Sequence, residues 1–159
     1  GVPGLDDLGR VGVVFELPAR YDRMHWYGRG PLENYPDRNR GALLDVWDAP
    51  IDESTYLVPQ EFGLRTDCRW FELVDTDAGD LVRIDALEPG ALHVSATRYT
   101  TEQLYRAGHE TDLRPGRHLV VHLDVAHRGV GTASCGPDVL DRYRIAPGTY
   151  ELSYRLSSR

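Results

Sequence analysis

The stretch Y-E-L-S-Y-R-L at positions 150–156 alternates strictly. Tyr150, Leu152, Tyr154 and Leu156 fall on one side, and Glu151, Ser153 and Arg155 on the other. A period of two is that of a β-strand with one face on a core and the other in water. Shorter runs of the same kind are V-G-V-V-F-E-L (11–17), R-M-H-W-Y (23–27), R-W-F-E-L-V (69–74), L-V-R-I-D-A (81–86), A-L-H-V-S-A-T (91–97) and H-L-V-V-H-L-D-V (118–125). Turn-forming residues separate them: T-D-A-G-D at 76–80, E-P-G at 88–90, R-P-G at 114–116 and A-P-G at 146–148. One segment departs from the pattern. Thr100, with Gln103 three residues on and Gly108 beyond, carries a capping-box signature and predicts a short helix over 100–106. Strands this short without βαβ spacing predict one all-β domain over 1–159, an antiparallel sandwich built from hairpins and meanders.

Composition narrows the function. The chain has 159 residues, 41% of them hydrophobic, which is enough for one core. Its formal charge is −7 at pH 7, against a nucleic-acid or anionic-membrane partner. No window approaches the ~18 apolar residues of a membrane-spanning helix, and no signal-peptide pattern opens the chain. Cys68 and Cys135 lie far apart and form no C-x-x-C motif, so they read as thiols of a reducing, cytoplasmic compartment. The opening G-V-P-G-L-D-D-L-G-R, with Gly1 in place of Met, reads as a cut inside a longer polypeptide or the scar of a removed tag.

Candidate chemistry is sparse. His118 and His122 have the H-x-x-x-H spacing of a helical metal pair, but they stand on a strand. Four residues there span roughly 13 Å at ~3.3 Å per residue, too far to share one ion. They are expected on the solvated face. The acids Glu33, Asp37, Asp45, Asp48, Asp52, Glu53, Glu61 and Glu72 lie mostly among Arg and Pro, where carboxylates cap turns or pair with guanidinium. No pair stands out as a catalytic dyad. The loop G-T-A-S-C-G-P (131–137) lacks the G-x-S-x-G elbow of a nucleophile. Trp26, Trp47 and Trp70 either fill the core or offer a sugar-stacking platform, with the core favoured.

The densest stretch is W-Y-G-R-G-P-L-E-N-Y-P-D-R at 26–38, followed by L-L-D-V-W-D at 43–48. It resembles the W-x-G-x-G-P-x-E-N-Y-P-D-R run of the C-terminal, small-chain domain of family 2 β-galactosidases. The likeness continues through V-P-Q-E-F-G-L-R-T-D (58–67), with Phe62 where the family has Asn. It extends through S-A-T-R-Y-T-T-E-Q-L (95–104) and H-L-D-V-A-H-R-G-V-G (122–131) to cover essentially the whole chain.

The resemblance implies a galactose-mutarotase-like supersandwich, of which this chain is the C-terminal half. It implies part of a retaining β-galactosidase whose two catalytic glutamates lie in a preceding (β/α)8 barrel, so no catalytic residue is expected here. The family's loop after G-(V/L)-G presents a Trp to the sugar, and this sequence puts Cys135 there, a substrate-site residue without the stacking surface. The backbone carbonyls of Val58 and Pro59 match a family sodium site. The parent family also uses magnesium. Expected partners are the preceding domains of the same polypeptide, a β-galactoside in the parent site, and further copies through oligomerisation or pairing of exposed strand edges. Two other readings are an autonomous carbohydrate-binding sandwich and an aldose-1-epimerase-like enzyme with a His/Glu constellation on one sheet.

Overall fold

The computed structural model describes residues 7–51, 56, 61–130 and 138–159. Within these, nine strands form two antiparallel sheets. The strands are β1 (Arg10–Pro18), β2 (Arg23–Gly30), β3 (Leu43–Pro50), β4 (Arg65–Cys68), β5 (Trp70–Val74), β6 (Leu81–Glu88), β7 (Leu92–Thr97), β8 (His118–His127) and β9 (Ser153–Ser158). One sheet has the order β1-β8-β7-β4, the other β3-β2-β5-β6-β9. The all-β sandwich expected from the alternation is the fold observed.

The core lies where the inner faces meet. Met24, Trp26, Phe71, Leu73, Val82 and Ile84 of the larger sheet pack with Leu92, Val94, Ala96, Leu119, Val121 and Leu123 of the smaller. Every second residue of β2, β5, β6, β7 and β8 contributes, as the two-residue period demands. Trp26 is fully buried; its indole N–H donates to the Arg29 carbonyl at 3.0 Å, and the Arg65 guanidinium lies 4.9 Å from the ring centre. Turns match their residues: Gly79 and Gly90 have φ of 75° and 89°, and Asp75 accepts from the backbone of Asp77 and Ala78. The helix α1 (Thr101–Arg106) starts with the predicted capping box. Thr100 Oγ1 accepts from Gln103 N at 3.2 Å, and Gln103 Oε1 accepts from Thr100 N at 2.9 Å.

Two strands escaped the periodicity. β4 is four residues of R-T-D-C, broken by a register shift and by Asp67 at φ 56°, so it offers no alternation to read. β3 carries Leu43 and Leu44 in succession and Pro50 at its end, an edge-strand composition.

The last strand corrects an expectation. Y-E-L-S-Y-R-L predicts a half-buried strand over 150–156, whereas β9 runs Ser153–Ser158, with Tyr154 37% and Leu156 50% exposed. Register explains it. Leu156 pairs with Ile84 and so shares the core-facing side, but the five-stranded sheet extends past the four-stranded one and nothing among the described residues lies opposite. The same overhang exposes Leu43 on β3, while Leu44 and Val46 are exposed beside it. Of the 150–156 run, Leu152 alone packs against the core.

Candidate functional site

Residues 31–42 join β2 to β3, and Glu33 and Asn34 in this connection spend their polar groups on the fold. Glu33 Oε1 accepts from the Tyr56 hydroxyl at 2.6 Å and from the Arg38 guanidinium, and Oε2 accepts from Gly63 N at 2.7 Å. Asn34 is 1% exposed. Its Nδ2 donates to the Arg29 and Leu32 carbonyls at 3.1 and 3.0 Å, and its Oδ1 accepts from Thr66 N at 3.2 Å and from the Thr66 hydroxyl. Its own backbone N–H donates to Leu64 O at 2.8 Å. Tyr35 is buried edge-on to His127, ring centres 5.5 Å apart. The loop ties β2 to the segment before β4. A cavity of about 580 Å³ lies against it, lined by Gly30, Pro31, Leu32, Asp37, Arg40 and Ala42 among others.

A second grouping was missed in the sequence. The outer face of the four-stranded sheet carries His93, Ser95 and Thr97 on β7 beside His122 and Asp124 on β8, in register His93↔Asp124 and Ser95↔His122. It is not the solvated face expected for the two H-x-x-x-H histidines. His118 is exposed and pairs with Glu16 at 3.1 Å, but His122 is half-buried, and Ser95, Thr97 and Val120 on the same face are buried. Segment 61–64 crosses onto this face: Glu61 lies 3.3 Å from Arg10 Nη1 and 4.0 Å from His127 Nε2. Phe62, next in the chain, packs with Leu104 of α1 and with Leu113.

Arg10 holds the centre. Its Nε and Nη2 contact Asp124 Oδ2 at 3.0 and 2.8 Å, and Asp124 is 1% exposed. Only glycine fits opposite. A Cβ on Gly12 would sit 2.1 Å from the Leu123 carbonyl and 2.4 Å from Asp124 Oδ1. His127 Nδ1 donates to the Arg128 carbonyl at 2.7 Å, which turns Nε2 toward Glu61. Burial raises the Asp124 carboxyl to about 6 against the pull of Arg10 and His127. Burial likewise lowers His93 and His122 to about 4, with Arg10 adding to the effect at His122. Burial opposes the charge on Glu61, but His127 and Arg10 outweigh it and lower its pKa. Histidines and acids therefore converge, yet each acid is engaged by Arg10. The group clamps segment 61–64 to β1 and β8. Alternation in H-L-V-V-H-L-D-V does separate Val120, His122 and Asp124 from the core residues; that a later segment covers them leaves no local signal.

Acid should weaken this clamp. His93 and His122 have folded pKa values of about 4, below the ordinary 6.5, so their contribution is present above pH 6.5 and lost as pH falls toward 4. Asp124 runs the other way: its contribution is present below 3.8 and lost as pH rises through about 6. Two groups against one leave the unfolded chain with a net excess of about one proton between those limits. Stability should then fall by about 1.4 kcal/mol per pH unit on acidification. Urea midpoints at pH 6.5, 5.5 and 4.5 check this, and a flat or rising series contradicts it.

The remaining candidates resolve plainly. Asp48 pairs with Arg23 and His25, and Glu72 with Arg83, so these acids serve ion pairs on the outer face of the larger sheet. Trp26 is core, Trp47 packs against the core with its N–H on Gly28 O, and Trp70 carries the Arg83 guanidinium 4.5 Å over its ring. No free aromatic platform remains among these three. Among the described residues, no group of three or more His, Cys, Asp or Glu is placed to hold a metal ion, and no helix is long and apolar enough to cross a membrane. Cys135, Val58 and Pro59 lie outside the described residues, as do Asp52 and Glu53. Cys68 is a buried free thiol whose pKa burial pushes up.

Fold and site together define an antiparallel β-sandwich unit in which Asn34, Glu33, Glu61 and Asp124 are engaged by partners within the chain. Residues 2–156 match the family described as beta galactosidase small chain, and the chain belongs to that family. It is 34% identical to a β-galactosidase of Arthrobacter sp. (strain B7) over 92% of this chain and 15% of that protein. It is 35% identical to that of Kluyveromyces lactis over 95% of this chain and 14% of the relative. With the β-galactosidase of Vibrio cholerae serotype O1 it shares 38% identity over 80% of this chain and 12% of the relative. The chain thus spans only 12–15% of the length of these relatives.

Proposed function

We propose that this chain is the C-terminal part of a retaining β-galactosidase, completing the enzyme's fold and bordering its substrate site while contributing no catalytic acid. One observation carries the reading: the family match runs nearly end to end, yet the chain equals only 12–15% of the β-galactosidases it resembles. The engaged acids support it, since Glu33, Glu61, Glu72 and Asp124 are all bound to Arg or backbone partners. The other domains of the polypeptide are the proposed partners, meeting the uncovered margins at β3 and β9. A reducing, cytoplasmic setting accords with the free, buried Cys68. Cys135 beside the substrate, sodium on the Val58 and Pro59 carbonyls, magnesium elsewhere in the parent, the supersandwich architecture and self-association belong to the same proposal.

The test has two arms. The chain alone should give no turnover of a chromogenic β-galactoside, and robust hydrolysis would sink the reading. In the complete polypeptide, a galactoside should slow alkylation of Cys135 by at least roughly fivefold, as a residue covered by ligand requires. Unchanged labelling at saturating galactoside, followed by peptide mapping, removes Cys135 from the site.

A further inference from the structure

Leu32 lines the cavity beside the β2–β3 connection and is 69% exposed, although its backbone is fixed. Its carbonyl accepts from the side-chain amide of buried Asn34 at 3.0 Å, so the connection does not fold it inward. Gly30, Pro31, Gly41 and Ala42 line the same hollow, and Leu43, next in the chain, is 68% exposed where β3 begins. Gly30 rests on the Trp47 indole, since a Cβ there would come within 2.6 Å of the ring. Three arginines serve this stretch. Arg29 pairs with Asp67 and donates to the Ala42 carbonyl at 3.1 Å, and Arg38 pairs with Glu33. Arg40 also lines the cavity, but it is exposed and has no ion pair or hydrogen bond among the described residues. The acids of the connection are turned elsewhere: Glu33 accepts from Tyr56 and Gly63, and Asp37 from Val130 N.

We propose that this hollow is a docking surface for an acidic segment of the rest of the parent polypeptide. That segment sets an apolar side chain against Leu32 and a carboxylate on Arg40. The inference rests on the reading that the chain is part of a larger β-galactosidase. The relatives have ample further chain to supply such a segment, since this one spans 12–15% of their length. Charge selects its chemistry. On a chain of formal charge −7, Arg40 is an unspent cation at the rim of an apolar surface. Apolar centres with arginine beside them are what protein–protein contacts favour. A second copy fits poorly, because two-fold pairing through this patch brings Arg40 toward the same cationic patch on its mate. The Asn34 bond and the Trp47 indole hold the surface in shape before anything docks, which lowers the ordering cost of binding.

The test is made in the complete polypeptide. With p-benzoylphenylalanine replacing Leu32, irradiation and peptide mapping should show attachment to a segment outside residues 1–159 of the same copy, with Asp or Glu beside the attachment point. Attachment to another copy, attachment to a segment without an acid, or no attachment overturns the proposal. The second measurement is hydrogen exchange at the Ala42 amide, which donates to Asn39 O at 3.1 Å. Arg40→Glu should speed that exchange at least roughly fivefold, as a rim charge turned repulsive requires, while Arg40→Lys stays within about twofold. Arg40 has no partner to lose within the described residues, so neither substitution threatens the local fold. Equal exchange in the two variants also overturns the proposal. A polypeptide that takes the cross-link but hydrolyses no β-galactoside keeps the docking surface and removes the parent reading. An active polypeptide without the cross-link does the reverse.

Discussion

Arg10→Met should destabilise the chain by about 3 kcal/mol at pH 7.5 and by only about 1 kcal/mol at pH 5. The guanidinium reaches water on one side, but Asp124 beneath it is 1% exposed, and Arg10 is the cation in contact with it. Methionine keeps most of the stem's volume and removes the charge, leaving a buried carboxylate without compensation. The carboxyl already titrates at about 6 with Arg10 present, so without that cation it will hold its proton at still higher pH. At pH 5 the variant therefore buries a neutral acid rather than an anion, and most of the penalty disappears. Glu61 loses the same partner, but it is more exposed and recovers hydration. Guanidinium melts at both pH values give the comparison, and Arg10→Met/Asp124→Asn should recover most of the loss at pH 7.5. Equal losses at the two pH values would mean that Arg10 acts through packing alone.

Asn34→Ala should cost about 3 kcal/mol, with little dependence on pH. Four side-chain hydrogen bonds converge on this residue in a site closed to solvent. Alanine leaves the Thr66 N–H and hydroxyl and two carbonyls to find partners in a space too small for full rehydration. Because the same side chain joins the 30–38 loop to β4, the variant should also free Tyr56 and Arg38 from their common contact with Glu33. Calorimetry on the purified chain reads the effect directly, and a melting temperature within a degree or two of wild type would show the loop is not the junction described. Asn34→Asp is the informative companion. It keeps the acceptor for Thr66 but points an oxygen at the Arg29 and Leu32 carbonyls, so it should be nearly as damaging.

The contrast between these residues shows what local pattern conveys. Strands such as 69–74 and 118–125 were legible because burial on one face imposes a period of two that the chain itself displays. The helix at 101–106 was legible because its cap is four residues long and self-contained. The Arg10 group was not. Its members come from positions 10, 61, 93, 122, 124 and 127, and polar residues alternating along β7 and β8 look solvated until another segment covers them. β9 erred in the opposite direction, since its alternation is genuine but the surface that would bury it is not within the described residues. Periodicity reports that a face is apolar; it says nothing about what lies across from it.

That unequal width has a mechanical side. β3 and β9 are each held by one neighbour, so either peels away rung by rung, breaking one pair of hydrogen bonds at a time. β2, β5 and β6 are gripped on both sides and yield only if two ladders shear together. Compliance is thereby confined to the margins, while the register holding Trp26, Phe71 and Ile84 stays stiff. A load applied at β3 or β9 is taken up first by the single ladder that holds that strand.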